Sequence, residues 1–340
     1  MEFLRRRIGL ILQLLVSVLI IAALTRVVDW GAVWSNMRTM DLGWIATAFI
    51  CFAPVLLIVS WRWRMLLGVH GVHLRFWRIF ELTMIGQFFS AIGVGTTGGD
   101  VIKIFYAARA VPPRRAAVAF TIVVDRVIGL VALLLFGVLL SIPNLHLLLS
   151  SSKTQAAVGT FYFFAISAAV ASIFACIGPF VMKIQTLRTL VKKLPFVHHG
   201  ASLFMAYEHT ARAFGTNLLA LVGSIPSHVC STLMGYCVLR AMNLQPAPPL
   251  LASFAIIAIV NMLIALPVSF SGLGLREGLY LVFFGLLGIP SDKILAFSLT
   301  CFVLNLLWCL VGGPFYFLYR HETHTPPPDV SEVEPIFSER

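Results

Sequence analysis

Ser271-Gly-Leu-Gly-Leu-Arg-Glu-Gly278 is the stretch on which the reading of this fold turns. It is punctuated by glycine and leads into an apolar run at 279–287. It also carries Arg276 and Glu277 between that run and another at 250–266. A charge at bilayer depth costs somewhere from ~3 to ~10 kcal/mol, so such residues face a cavity or each other. An echo stands in the first half of the chain, Gly93-Val-Gly-Thr-Thr-Gly-Gly-Asp-Val-Ile-Lys103. Both are a small-residue elbow, then charge, then an apolar helix. Broken, charged segments at corresponding places in two halves are what inverted repeats around a mid-membrane site produce.

Composition narrows the class. Of 340 residues, 59% are hydrophobic and 11% charged, and the mean hydropathy is +0.93. Soluble domains carry about 25% charged residues. The chain therefore reads as an integral membrane protein, all-α and polytopic. The net charge of +11 follows from Lys and Arg gathering in cytoplasmic loops. No basic stripe sits on a soluble module, so nucleic acid is not an expected partner. Six cysteines, Cys51, Cys176, Cys230, Cys237, Cys301 and Cys309, all fall in apolar runs with no Cys-x-x-Cys pair. They read as small buried hydrophobes, and neither a metal nor a cofactor is expected.

The apolar runs predict six full spans, at residues 8–28, 42–60, 116–142, 154–180, 214–239 and 293–319. Two shorter units, each built around an elbow, predict re-entrant hairpins. In this reading Trp61-Arg-Trp-Arg64 is an aromatic and basic belt beyond the second span. Residues 143–153 are a loop, 183–212 a surface-lying helix pair, and the Pro-rich tail 321–340 a disordered cytoplasmic segment. The order span, span, hairpin, span occurs twice, giving one domain over 1–320 with repeats at about 8–142 and 154–319. Placing both termini in the cytoplasm gathers eighteen Lys and Arg there against five outside, as the positive-inside rule requires. The run 250–266 is long enough that it nearly crosses by itself.

Several polar groups lie at membrane depth. Glycines of the elbows bare backbone N–H groups, and a helix start adds partial positive charge, a combination suited to an anion such as phosphate. Gly272, Gly274, Arg276 and Glu277 form one candidate headgroup site. Asp100, Lys103, Asp125 and Arg126 form its counterpart in the first half, the last two within Asp125-Arg126-Val-Ile-Gly129. The alternative for the elbows is a glycine hinge that lets helices pack closely; for Asp125 and Arg126 it is a pair near the interface. With three acids and three bases, the expectation is that Glu277 pairs across the repeat with Arg126 or Lys103 and leaves Arg276 for the ligand. No catalytic residues are expected, since neither a His-Glu-x-x-His nor a Gly-x-Ser-x-Gly arrangement occurs.

The elbow with Asp100 to Lys103, the Asp125 to Gly129 box, and Pro267-x-Ser-x-Ser-Gly-Leu-Gly-Leu-Arg-Glu-Gly278 together resemble the lysylphosphatidylglycerol synthase transmembrane-region family, bacterial flippase-like domain proteins. The likeness covers residues of about 8–318. It departs at Asp125, where the family box more usually has Glu, and at 93–99, where a proline usually precedes the glycines. The resemblance implies a two-repeat fold in the bacterial inner membrane and movement of a lipid between leaflets, without the aminoacyl-transferring domain of bifunctional members. It also implies a narrower link to hopanoid or glycolipid pathways. Two function classes follow: a translocator of a polar or anionic lipid, or a non-transporting partner that scaffolds a lipid-synthesis enzyme or glycosyltransferase.

Overall fold

The structure, a computed structural model, describes residues 30–92, 95–111, 114–181, 201–265 and 274–322. The expected first span at 8–28, the basic segment 183–200, the part of the second elbow before Gly274, and the tail from 323 lie outside the described residues. The described chain is helical, with no strand among the described residues: α1 (Trp30–Arg38), α2 (Leu42–Val69), α3 (Phe76–Ile92), α4 (Gly95–Ala110), α5 (Arg115–Ser141), α6 (Leu145–Leu148), α7 (Ser152–Val181), α8 (Ala201–Arg212), α9 (Phe214–Ala241), α10 (Leu250–Ala265), α11 (Leu275–Gly285) and α12 (Ser291–Glu322).

Five stretches are long and apolar enough to cross a bilayer: Leu42–Val69, Arg115–Leu148, Ser152–Phe174, Phe214–Ala241 and Ser291–Tyr319. These correspond to five of the six expected spans. Their outward faces are apolar. On α7, Phe163, Ile166, Val170 and Phe174 are all exposed, a stripe that only a hydrocarbon surround tolerates on this scale.

Packing divides the chain into two compact units, and each long helix contributes to both. The first unit holds the described parts of Met1–Val55, Leu133–Ala165 and His228–Leu307; the second holds those of Leu56–Ala132, Ile166–Ser227 and Trp308–Arg340.

In the second unit α3 and α4 are 17 and 16 residues long, or about 24–26 Å at 1.5 Å per residue, short of a ~30 Å hydrocarbon core. They pack at a close approach that only small residues permit. A Cβ on Gly99 would fall 2.0 Å from Ser90 Oγ and 2.3 Å from the Gly86 carbonyl. Helix α12 closes on the same hairpin, where a Cβ on Gly312 would lie 2.3 Å from the Met84 carbonyl. Around this contact Trp63, Leu67, Ile79, Leu82, Ile85 and Tyr319 form the buried core.

In the first unit α10 is buried almost all round, with Ala255 to Val260 at the centre. A helix apolar on every face belongs inside a protein. At 16 residues it measures about 24 Å, so it does not reach across alone. Small residues again set the spacing, Gly235 facing Ile257 and Gly137 facing Phe161. Tyr280 stacks on Phe284 within α11, and Phe297 of α12 meets both edge-on, with centroids 5.0 to 5.5 Å apart.

Three expectations change. Helix α2 does not end at residue 60 but runs through Trp61-Arg-Trp-Arg64 to Val69, because nothing breaks it until Gly71. That residue takes φ +65, and the Val72 N–H closes on the Leu67 carbonyl, a Schellman-type stop. The expected loop 143–153 contains a 3-10 turn (Ile142–Asn144) and α6, and α7 begins at Ser152. The first elbow is not open backbone over 95–99, its described part, since α4 starts at Gly95 and Gly99 serves helix packing.

Beyond the end of α2, His70 accepts from or donates to Thr210 Oγ1 at 3.0 Å. Burial, then His209, then Arg114 push its imidazole below the ordinary value of 6.5. A depressed histidine contributes stability that is present above pH 6.5 and lost as pH falls through its folded value. The thermal midpoint of the purified protein should therefore fall on acidification below about pH 6.5, and His70→Gln should flatten that dependence; an unchanged acid slope would remove His70 as its origin. Separately, Gly99→Ala forces α3 and α4 apart, an overpacking of about 1–3 kcal/mol. It should lower the thermal midpoint measured in detergent, whereas Gly159→Ala, at a position with nothing within 4 Å, should not.

Candidate functional site

Two buried charge clusters stand out, one in each unit. In the second unit Arg62, on the extended part of α2, is 5% exposed and faces Asp125 of α5, 3% exposed. Its Nε donates to Oδ1 at 2.7 Å and its Nη2 to Oδ2 at 3.0 Å, a fork-on-carboxylate pair. Nη1 donates to Ser224 Oγ of α9 at 2.9 Å. Gly129 lies one helical turn beyond Asp125, and a Cβ there would sit 3.0 Å from Nη1. The Asp125 to Gly129 spacing thus has a physical account: the carboxylate anchors the guanidinium, and the glycine leaves room for it.

The residues flanking Arg62 extend the cluster. Trp63 is fully buried; its Nε1 donates to Thr121 Oγ1 at 3.2 Å, and the Lys103 ammonium of α4 lies 3.9 Å from its ring centroid. Such a cation on an indole face, away from water, is worth about 2 kcal/mol. Trp61 abuts Gly223 of α9. Arg126, pointing away from Asp125 as adjacent helical residues do, reaches Asp100 of α4 with Nη2 2.6 Å from Oδ1. That pair is more exposed, and its worth is correspondingly small.

In the first unit the cluster forms at the start of α11. Gly274 occupies the cap position with φ +82, a conformation that side-chain-bearing residues rarely take. Its N–H donates to Glu277 Oε2 at 2.7 Å, so the third residue of the helix bonds back to the cap. Glu277 Oε1 accepts from Arg276 Nε at 3.0 Å and from Ser298 Oγ at 2.9 Å, and Arg276 Nη2 contacts the same oxygen. Arg276 Nε also faces Ser298 Oγ at 2.9 Å, and its guanidinium lies 5.1 Å from the Phe302 ring centroid. Ser298 and Phe302 are four apart on α12 and so share a face. Gly272 lies outside the described residues.

The sequence-derived pairing of Glu277 with Arg126 or Lys103 is corrected here. Both Glu277 oxygens are engaged locally, while Arg126 turns to Asp100 and Lys103 to Trp63. The helix start explains the difference: a carboxylate at its third position is held by the cap N–H, and the neighbouring Arg276 closes on it. Arg62 and Ser224 were not among the sequence candidates. Their signal was the unpaired Asp125 at membrane depth, which required a cation, and the apolar Met65-Leu66-Leu67 that continues past Arg64.

The Asp-Arg-x-x-Gly box with its guanidinium seat, and the Leu-Gly-Leu-Arg-Glu-Gly helix start, both sit inside one long family match. Residues 10–313 match the family described as the lysylphosphatidylglycerol synthase TM region. The chain belongs to that family. It is a multi-pass membrane protein of a lipid-related, flippase-like class. No curated protein matched the chain.

Removing one partner of a buried pair strands the other charge, a loss of about 3–5 kcal/mol. Arg62→Met should therefore lower the thermal midpoint sharply, and Arg62→Met with Asp125→Leu should recover most of it, because an apolar pair replaces an ion pair at little cost. If single and double variants lose equally, the ion pair is not what Arg62 contributes.

Proposed function

We propose that this member of the lysylphosphatidylglycerol synthase TM region family translocates a polar or anionic lipid between the leaflets of the bacterial cytoplasmic membrane. It acts as a transporter and not as an enzyme, and takes neither metal nor cofactor. The observation that carries the reading is the buried Arg276–Glu277 pair at a glycine-capped helix start, together with family membership. The Arg276 guanidinium is already desolvated, and if it turns to a lipid phosphate Glu277 keeps the Gly274 N–H and the Ser298 hydroxyl as partners. Gly274 acts through Glu277, whose Oε2 its N–H holds, and Gly272 is read as the elbow's backbone donor to the headgroup. Asp100, Lys103, Asp125 and Arg126 serve the corresponding place in the first repeat.

The repeats at 8–142 and 154–319 are read as inverted, with a re-entrant hairpin in each and both termini cytoplasmic. Support comes from the basic residues: among the described residues the second unit carries eleven Lys and Arg, and the first only Arg38, Lys153, Arg240, Arg276 and Lys293. The narrower substrate reading is a hopanoid- or glycolipid-pathway lipid, and an enzyme that makes such a lipid is the natural partner.

Purified protein in liposomes, assayed with a panel of labelled lipids, tests this directly. Lys offers a point charge where Arg offers a planar fork, so Arg276→Lys should reduce translocation by at least about tenfold while the protein still folds. Wild-type rates from Arg276→Gln would remove Arg276 from the mechanism. Absence of translocation of every lipid by the native protein would favour the scaffold reading instead.

A further inference from the structure

We propose that an open groove where α2 and α9 meet α8 binds the phosphodiester headgroup of an anionic phospholipid, separately from the two charge clusters. The groove has a volume of about 630 Å³ and is lined in part by His73, His209 and Arg212 at its rim and by Met65, Val69 and Leu219 along its wall.

Its position sets its chemistry. Met65 and Val69 are in the last turns of the α2 span, and Leu219 is in the second turn of the α9 span. The groove therefore straddles the level at which two membrane helices give way to polar chain. Below the rim the surface stays apolar: Leu219 and Val222, three apart on α9, are both more than half exposed. A phosphate seated among the rim groups would place its glycerol and first acyl carbons against this track. Free inorganic phosphate has no use for such a wall.

The rim supplies donors from separate elements. Arg212, at the end of α8, is paired with Glu208 one turn earlier, which keeps its charged head at the surface of that helix, and its five N–H groups exceed what one carboxylate takes. His209 packs edge-on to the His70 ring at 6.3 Å, which fixes its orientation. His73, just past the end of α2, is exposed. One guanidinium and two imidazoles line the groove, and no carboxylate does among its lining residues; such a rim complements a phosphodiester. Basic pockets at the interfacial ends of membrane helices bind anionic headgroups by this means.

Native mass spectrometry of the purified full-length chain tests the site. After incubation with equimolar phosphatidylglycerol and phosphatidylcholine, the protein should retain phosphatidylglycerol preferentially. Each Lys or Arg near an anionic headgroup is worth about a fivefold change in binding. Arg212→Gln should lower the preference about fivefold, His73→Gln should lower it further, and Glu208→Gln should raise it. Arg109→Gln, a surface change beside Phe105 and away from the groove lining, should leave it unchanged. An undiminished preference in the Arg212→Gln, His73→Gln double variant overturns the proposal, as does an equal loss in Arg109→Gln, which would indicate a diffuse basic surface. Displacement of the lipid by millimolar glycerol 3-phosphate would show a site for free phosphoesters and overturn the lipid assignment. None of these outcomes depends on whether Arg276 participates in translocation.

Discussion

The pair between Arg62 and Asp125 is the constraint on which the second unit depends. Two charges that would each cost several kcal/mol alone in an apolar surround are held by two mutual hydrogen bonds and a third to Ser224. To make them, α2 must continue nine residues past Ser60, and α5 must present Asp125 and Gly129 on one face. Helix α9 must in turn bring Gly223 and Ser224 against Trp61 and Arg62. Trp63 then carries Lys103 and Thr121. Four helices are thus keyed by three consecutive residues. A hydrophobic seam would accept several registers, because lipid and side chain compete equally for apolar surface. A buried fork with defined partners accepts one.

The first-unit cluster obeys a different rule. Its charges are neighbours in sequence, so pairing them fixes no helix against another. Two contacts tie this cluster to α12: Ser298 bridges to Glu277 and Arg276, and Phe302 takes the guanidinium face. The contact is lighter than the one around Arg62, with a hydroxyl and a ring in place of a second charge. A cation whose partner is its own neighbour can change partners without unlocking the helix–helix packing, which rests on Tyr280, Phe284 and Phe297.

How much of this was legible in the sequence follows from the range of each interaction. The five spans within the described residues, being long apolar runs, were readable, and so was buried charge at Asp125 and at Arg276-Glu277. Partner choice was not. Trp61-Arg-Trp-Arg64 has the composition of an interfacial belt, and composition alone does not show whether the helix beneath it stops. The decisive local feature was Gly71, the residue with φ +65 that ends α2, well beyond the apparent edge of the span. Likewise the three-acid, three-base balance suggests pairing between halves. A helix start offers a carboxylate a backbone N–H close at hand, and that local option took Glu277.

The glycines show why similar stretches can differ in kind. Gly93–Gly99 and Gly272–Gly274 look alike as strings, and as strings both predict opened backbone. Gly99 is glycine because Gly86 and Ser90 stand where a side chain would go, a requirement of distance inside a regular helix. Gly274 is glycine because φ is +82, a requirement of torsion at a helix cap, independent of what surrounds it. Of these two positions, only Gly274 leaves its backbone N–H turned toward a carboxylate instead of along a helix. Opened backbone at a charged helix start is therefore a property of Gly274, while Asp100 and Lys103 stand on a regular helix positioned by packing. The likeness between the two strings is one of composition; a torsion at Gly274 and a packing distance at Gly99 give each glycine its own physical reason.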